Sequence, residues 1–189
     1  MTPFLRISII AVAASGLGFA FAKDAPLPKP NQVDKPEMIQ FIKPDPKALP
    51  GIVVDDVDAK LVGKWKHSVH TPPFVGTSYI HDMKENKGGK SATFTPDLPE
   101  AGQYEVRMSH NSNVRRANGV PITIKHADGE TVVKVNEREH APIEKLFRSL
   151  GIFRFEKGKA GSVTIRTQGT EGKYVIVDSI QFLPVKKDK

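Results

Sequence analysis

"VPITIKHADGETVVKVN", residues Val120 to Asn136, consists of two runs of alternating apolar and polar residues around Asp128-Gly129. An Asp-Gly pair supplies the positive φ angles of a type I′ turn, whose twist matches that of two antiparallel strands. Counting outward from that pair sets Ile124 opposite Val133 and Ile122 opposite Val135. Thr123 and Lys125 then share the other face with Val132 and Lys134. Apolar residues meet at both central positions, so the stretch predicts a β-hairpin with one buried and one wet face.

The texture continues in both directions. "GIVVDD", "GKWKHSV", "SYIHDM", "KSATFTP", "GQYEVRMS", "SLGIFRFE", "GSVTIRT" and "YVIVDSIQFLP" are short β-rich runs, most of them separated by Gly, Pro, Asp or Asn. In "QYEVRMS" the residues Tyr104, Val106 and Met108 alternate with Glu105, Arg107 and Ser109, again one face in and one out. Nine or ten strands at this spacing predict an all-β fold, an antiparallel β-sandwich or barrel. The one helix candidate is "APIEKLFRSL", residues 141–150. Ile122, Ile124, Val133, Val135, Phe153, Phe155, Val163, Ile165, Val175, Val177, Ile180 and Phe182 make up the expected core.

Outside residues 51–185 the composition changes. "MTPFLR" and the uncharged run "ISIIAVAASGLGFAF", closed by Ala20-Phe21-Ala22, have the form of a cleavable signal peptide at 1–22, cut after Ala22. The apolar run is shorter than the roughly 20 residues of a spanning helix, so no membrane span is expected in the mature chain. The expected setting is secreted, periplasmic or extracellular. Residues 23–50 hold seven Pro in 28 residues and read as an extended linker, and 186–189 form a basic tail. The chain carries +7, but only +3 falls on residues 51–185 once Arg6, the +1 of 23–50 and the +2 of the tail are set aside. No basic run with interleaved aromatics occurs, so nucleic acid is not an expected partner. With no Cys, neither disulfides nor a cysteine nucleophile is available.

Few motifs point to chemistry. His67 and His70 are three apart, which places them on opposite faces of a strand and unsuits them as a metal pair. Asp55, Asp56 and Asp58 could offer oxygens to calcium, but "DDVDA" lacks the glycine and terminal Glu of a loop cage; solvated carboxylates at a strand end are the expectation. No cofactor is expected. There is no Gly-x-Ser-x-Gly. A lyase needs a Tyr or His base beside an Arg or Asn, types that Tyr79, His81, Arg115, Arg116 and Asn118 supply without any geometry to join them. Trp65 reads as core before sugar-stacking platform. Alternation puts Tyr79 and His81 on one face of "YIHD", with Asp82 on the other, placed to orient His81 or bind backbone amides. "SHNSNVRRANGVP", residues 109–121, joins two strands and carries Asn111, Asn113, Arg115, Arg116 and Asn118, planar groups suited to hydroxyls or a carboxylate. The alternative is internal use, with one Arg paired to an acid such as Asp82 or Glu105.

Taken in order, "VVDDVDAKLVGKWKHSV", "FVGTSYIHDM", "FTPDLPEAGQYEVRMS", "RRANGVPITIKHADG", "GIFRFEKGKAGSVTI" and "VDSIQFLP" resemble the golvesin / xanthan-lyase C-terminal module, over about residues 52–184. The resemblance implies a jelly-roll, galactose-binding-like sandwich with a carbohydrate-binding role, of a kind that accompanies secreted polysaccharide lyases or oxidoreductase-like proteins in environmental bacteria. Asn118-Gly119 departs from the Thr-Asn frequent before Val-Pro in that family. The Arg-Ala landmark assigns Arg116 a structural part, buried against a carboxylate, and leaves Arg115 exposed. The functional expectation is a non-catalytic module, standing behind leader and linker, that binds polysaccharide or cell-surface glycan. The candidate ligand-binding residues are Tyr79, His81, Asp82, Asn113, Arg115, Arg116 and Asn118. The alternatives are an envelope module with a protein partner and, behind it, a polysaccharide lyase.

Overall fold

The computed structural model describes residues 43–186. The expected leader, the linker up to residue 42 and the end of the basic tail lie outside the described residues. Twelve strands follow one another: β1 (Ile52–Val54), β2 (Lys60–Val62), β3 (Lys66–Ser68), β4 (Tyr79–His81), β5 (Ser91–Phe94), β6 (Gly102–Ser109), β7 (Val120–His126), β8 (Gly129–Val135), β9 (Phe147–Phe155), β10 (Ser162–Arg166), β11 (Ile176–Val177) and β12 (Ile180–Pro184). They form a four-stranded sheet β1-β12-β6-β9, a five-stranded sheet β2-β5-β10-β7-β8 and a small third sheet β11-β4-β3. Every pairing between these strands is antiparallel.

The two larger sheets face each other across one core. Ala92, Phe94, Ile122, Ile124, Val163 and Ile165 of one sheet meet Tyr104, Val106, Met108, Phe155, Ile180 and Phe182 of the other, all of them buried. Phe155 stands edge-on to Tyr104 and Phe182, with ring centroids 6.1 and 5.5 Å away. At roughly 1.5–3 kcal/mol for each fully buried aliphatic or aromatic side chain, this layer holds the sandwich together without disulfides. The expected core residues line it, with Val133 and Phe153 only half-buried at its margin.

The hairpin forms, but in another register. Ile122 pairs with Val133, Ile124 with Thr131 and Val120 with Val135. His126 pairs with Gly129, so Ala127 and Asp128 are the central turn residues, and the positive φ falls on Gly129 alone (125°). A slip of two residues keeps every side chain on its own face, which is why alternation could not detect it. The tertiary fold sets the register: Ala127 N–H donates to the Arg154 carbonyl (2.8 Å) and Arg154 grips the Asp128 carboxylate (2.6 Å).

The helix expected at 141–150 is absent. Glu144 and Lys145 take left-handed φ angles of 53° and 58°, and from Phe147 the chain is recruited as β9 along β6. Local helical propensity yields here to an open strand edge. The last apolar run holds two strands, because Asp178 between them turns its carboxylate to the Val75 amide and the Ser109 hydroxyl. Residues 43–50, assigned to the linker, pack on the domain: Pro44 accepts from Gly76 N–H (2.9 Å), Pro50 accepts from Gln181 Nε2 (2.8 Å), and Leu49 joins the Val75, Leu146 and Phe147 cluster.

Candidate functional site

The small third sheet builds a cleft. β4 runs between β3 and β11, so Tyr79 and His81, two apart on one face, stand beside Ser68 of β3. The loop after β6 reaches the same place. Arg116 bridges to Tyr174 in parallel, with Ala117 N–H donating to the Tyr174 carbonyl (2.9 Å) and Tyr174 N–H to the Arg115 carbonyl (3.1 Å). The resulting cleft of about 310 Å³ is lined by Ser68, His70, Thr71, Tyr79, His81, Asn113, Arg115, Arg116 and Tyr174. Its volume lies at the lower end of the roughly 300–1,000 Å³ usual for small-ligand sites.

Its floor is aromatic and fixed. Tyr79, Phe74 and Ile176 are buried as a separate cluster on which Tyr174 packs. The Tyr79 hydroxyl accepts from Ser68 Oγ (3.1 Å). His81 meets the Tyr174 ring edge-on at 5.3 Å, and its Nδ1 accepts from Met83 N–H (3.1 Å), so the neutral ring carries its proton on Nε2. Burial holds the His81 pKa below the ordinary value, helped by the nearby positive charge of Arg116.

Asp82 works behind the cleft, not in it. Fully buried, its carboxylate accepts from Lys84 N–H (3.0 Å) and Val175 N–H (3.0 Å) and pairs with Lys87 Nζ. Lys87 continues to Thr170 Oγ1 (3.0 Å) and the Lys173 carbonyl (2.6 Å), while the buried Lys90 ammonium reaches the Asp82 carbonyl (2.6 Å). Glu137, also fully buried, accepts from Ile176 N–H (2.9 Å), and burial raises its pKa well above the usual carboxylate range.

Of the seven sequence candidates, Tyr79, His81, Asn113, Arg115 and Arg116 come together in the cleft; Asp82 lies behind it and Asn118 is exposed outside its lining. Arg115 is exposed and Arg116 is 7% exposed. The expectation that an acid pairs with Arg116 is overturned. Arg116 Nη2 donates to Asn111 Oδ1 (2.8 Å), its Nε has no partner, and its guanidinium lies 5.7 Å from the Tyr174 ring centre. Both acids suggested for it are taken: Asp82 by Lys87 and Glu105 by Arg107 (2.5 Å). Tyr174, Ser68, His70 and Thr71 were missed. Tyr174 left one signal, an aromatic at the outer end of an apolar strand run, but only the pairing with Arg116 brings it here.

A second polar centre corrects the reading of "DDVDA". Asp55 and Asp56 are buried, not solvated, and their pKa values rise to about 6 and about 7, first through burial and then through the charge of Asp58 on Asp55 and that of Asp55 on Asp56. Asp56 accepts no hydrogen bond at either carboxylate oxygen; His67 Nδ1 lies 3.9 Å away. Among the described residues, no set of three or more His, Cys, Asp or Glu side chains is arranged to hold a metal ion. Trp65 is half-buried against the main core, donates Nε1–H to the Val62 carbonyl (3.0 Å) and does not line the cleft.

Residues 52–184 match the family model of the Golvesin C-terminal domain. Over 149 residues the chain is 36% identical to xanthan lyase of Bacillus sp. (strain GL1), an alignment covering 76% of this chain and 16% of that protein. The chain therefore corresponds to about a sixth of the curated relative's length. Among solved structures, Paenibacillus xanthan lyase superposes with a TM-score of 0.67 at 34% identity, over 71% of this chain and 13% of the other. The GH26–CBM35 β-(1,4)-mannanase of Podospora anserina gives 0.55 at 15% identity, over 73% and 28%, a likeness of fold alone.

Proposed function

The chain belongs to the golvesin C-terminal domain family, and from that premise we propose that it is a non-catalytic module binding polysaccharide or cell-surface glycan in the cleft between Arg116 and Tyr174. One observation carries this reading: a half-buried tyrosine ring sits in a concave site with Ser68, Thr71, Asn113 and the two guanidinium groups around it. A sugar presents C–H groups on its faces, which pack on aromatic rings, and hydroxyls at its edges, which need planar donors and acceptors. The relative's name, a lyase of xanthan, supports a polysaccharide as the ligand class.

Two features favour binding over turnover. Among the described residues no Asp or Glu lines the cleft, and Tyr79, the buried phenol of its lining, is 2% exposed with its hydroxyl already engaged by Ser68. The proposed setting is outside the cytoplasm, on the strength of the leader pattern at residues 1–22. Among the described residues no helix is long and apolar enough to cross a membrane.

Affinity electrophoresis of the full chain through gels containing xanthan, a neutral mannan or a neutral glucan tests the proposal. At least one polymer should retard it. Tyr174→Ala should weaken that retardation about tenfold, the equivalent of about 1.4 kcal/mol, while Val132→Ser, on the exposed face of β8, should leave it unchanged. Free migration in every gel refutes glycan binding. Release of new reducing or unsaturated chain ends refutes the non-catalytic part.

A further inference from the structure

Arg116 presents an energetic problem. A guanidinium that is 7% exposed, with one hydrogen bond to a neutral amide and an unpartnered Nε, has exchanged water for very little. Buried cations normally meet an ionised partner, because the effective desolvation cost is several kcal/mol per ion. Among the described residues, no carboxylate lies within ion-pair distance of Arg116 or of Arg115.

The surroundings deepen the imbalance. Behind the cleft lie Lys90, buried, and Lys87, whose side chain is 9% exposed, and among the described residues Asp82 is the only carboxylate that pairs with either of them. The other acid buried nearby, Glu137, spends one carboxylate oxygen on Ile176 N–H and makes no ion pair with Arg116; burial raises its pKa well above the usual carboxylate range, against the pull of the Arg116 charge. Lys84 Nζ stands 4.9 Å from the Tyr174 ring centre, on the same rim. Positive charge thus converges on a concave surface whose lining holds no negative group.

Resting on the glycan reading above, we infer that the cleft is specific for an anionic sugar, one whose carboxylate completes the shell of Arg116 while its ring lies against Tyr174. The chemistry favours a carboxylate because its two coplanar oxygens match the parallel N–H bonds of a guanidinium. Arg115, exposed at the mouth, supplies a second contact or steers the anion in. Arg116 then serves as the anchor, held in place by Asn111 and the Tyr174 face. A lysine would keep the charge there and lose the fork.

The test compares one polymer in two states: polygalacturonate and its fully methyl-esterified form, with a neutral mannan and a sulfated glucan alongside. The full chain should be retained by polygalacturonate and about tenfold less by the ester, and retention should fall as salt rises. Arg116→Met and Arg115→Ala should each lower the affinity for polygalacturonate about tenfold or more. Isothermal titration with free glucuronate should give heat where glucose gives none. Arg115 is exposed, so Arg115→Ala keeps the experiment decisive even if Arg116→Met fails to fold. Equal retention by the acid and its ester overturns the anionic specificity and leaves glycan binding standing. Retention by the sulfated glucan alone overturns the carboxylate. Free migration through all four polymers overturns this inference, and free migration through xanthan as well overturns the glycan reading with it.

Discussion

Arg115 and Arg116 are neighbours in sequence and opposites in environment: Arg115 stands exposed in a turn that Arg116 N–H closes on the Asn113 carbonyl (3.0 Å), and Arg116 is drawn in beside Tyr174. The exposed one is free to meet a ligand; the buried one would ordinarily be structural. Arg116 lacks the ion pair that such a role requires, and this changes what its removal should do. Breaking a buried pair costs about 3–5 kcal/mol, whereas replacing an unpaired buried cation by an apolar side chain of similar length removes a desolvation cost and strands no partner. Arg116→Met should therefore unfold in urea within about 1 kcal/mol of the parent, or above it. A loss of about 3 kcal/mol or more would mean that a counter-charge has been overlooked. A binding residue that stability does not require is the usual trade at a functional site.

At the scale of elements, the cleft depends on a short strand held from behind. β4 has three residues, and its pairing to β3 and β11 is as brief. Asp82, the residue after it, ties β4 to the start of β11 through Val175 N–H, and Lys87 ties Asp82 to the loop carrying Thr170 and Lys173. With side chains 9% and 0% exposed, the Lys87–Asp82 pair is a buried one. Lys87→Met should lower the unfolding free energy by about 3 kcal/mol, since it leaves a carboxylate buried without its cation. It should also weaken glycan retention without touching the cleft lining. A melt within a degree of the parent would refute this. The same region explains why the sequence revealed the elements better than their partners: the alternation in "SYIHDM" marks a strand, but nothing local says that Tyr174 will lie beside it.

At the scale of the molecule, buried acids among the described residues outnumber buried imidazoles, and that sets the response to pH. Asp55 and Asp56, with pKa values of about 6 and about 7, hold protons more tightly folded than unfolded, as do Asp178 and Glu137. For Asp55 and Asp56 this stabilisation is full below about pH 4 and is lost as pH rises through about 6 and about 7; for Asp178 and Glu137 it is likewise lost as pH rises. His110 works the other way: burial lowers its pKa to about 4, so its contribution is lost as pH falls from about 6.5 towards 4. Four carboxylates against two imidazoles, His81 and His110, make the domain more stable near pH 5 than near pH 8. Asp56→Asn, which mimics the protonated acid, should raise stability at pH 8 by about 2 kcal/mol and far less at pH 5. Thermal melts across pH 4–9 check both statements; a parent that melts higher at pH 8 than at pH 5 contradicts them.

The sequence by itself determined the class of fold and most of its core, because strand faces are written in a period of two residues and burial follows the face. Val106, Ile122, Ile165 and Phe182 are core residues for that local reason. It also carried enough of the Tyr79, His81, Asn113, Arg115 and Arg116 constellation for a candidate site to be drawn. Whatever depends on which strand lies beside which was left to the tertiary structure. The hairpin register turned on Arg154 gripping Asp128, since a two-residue slip leaves the pattern intact. The strand at 147–155 formed because β6 offered an edge. Asp55 and Asp56, whose charge at a strand end reads as solvated, are buried where the chain folds over them. Tyr174 reached Arg116 by a contact 58 residues away in sequence, and no local propensity encodes a pairing of that range.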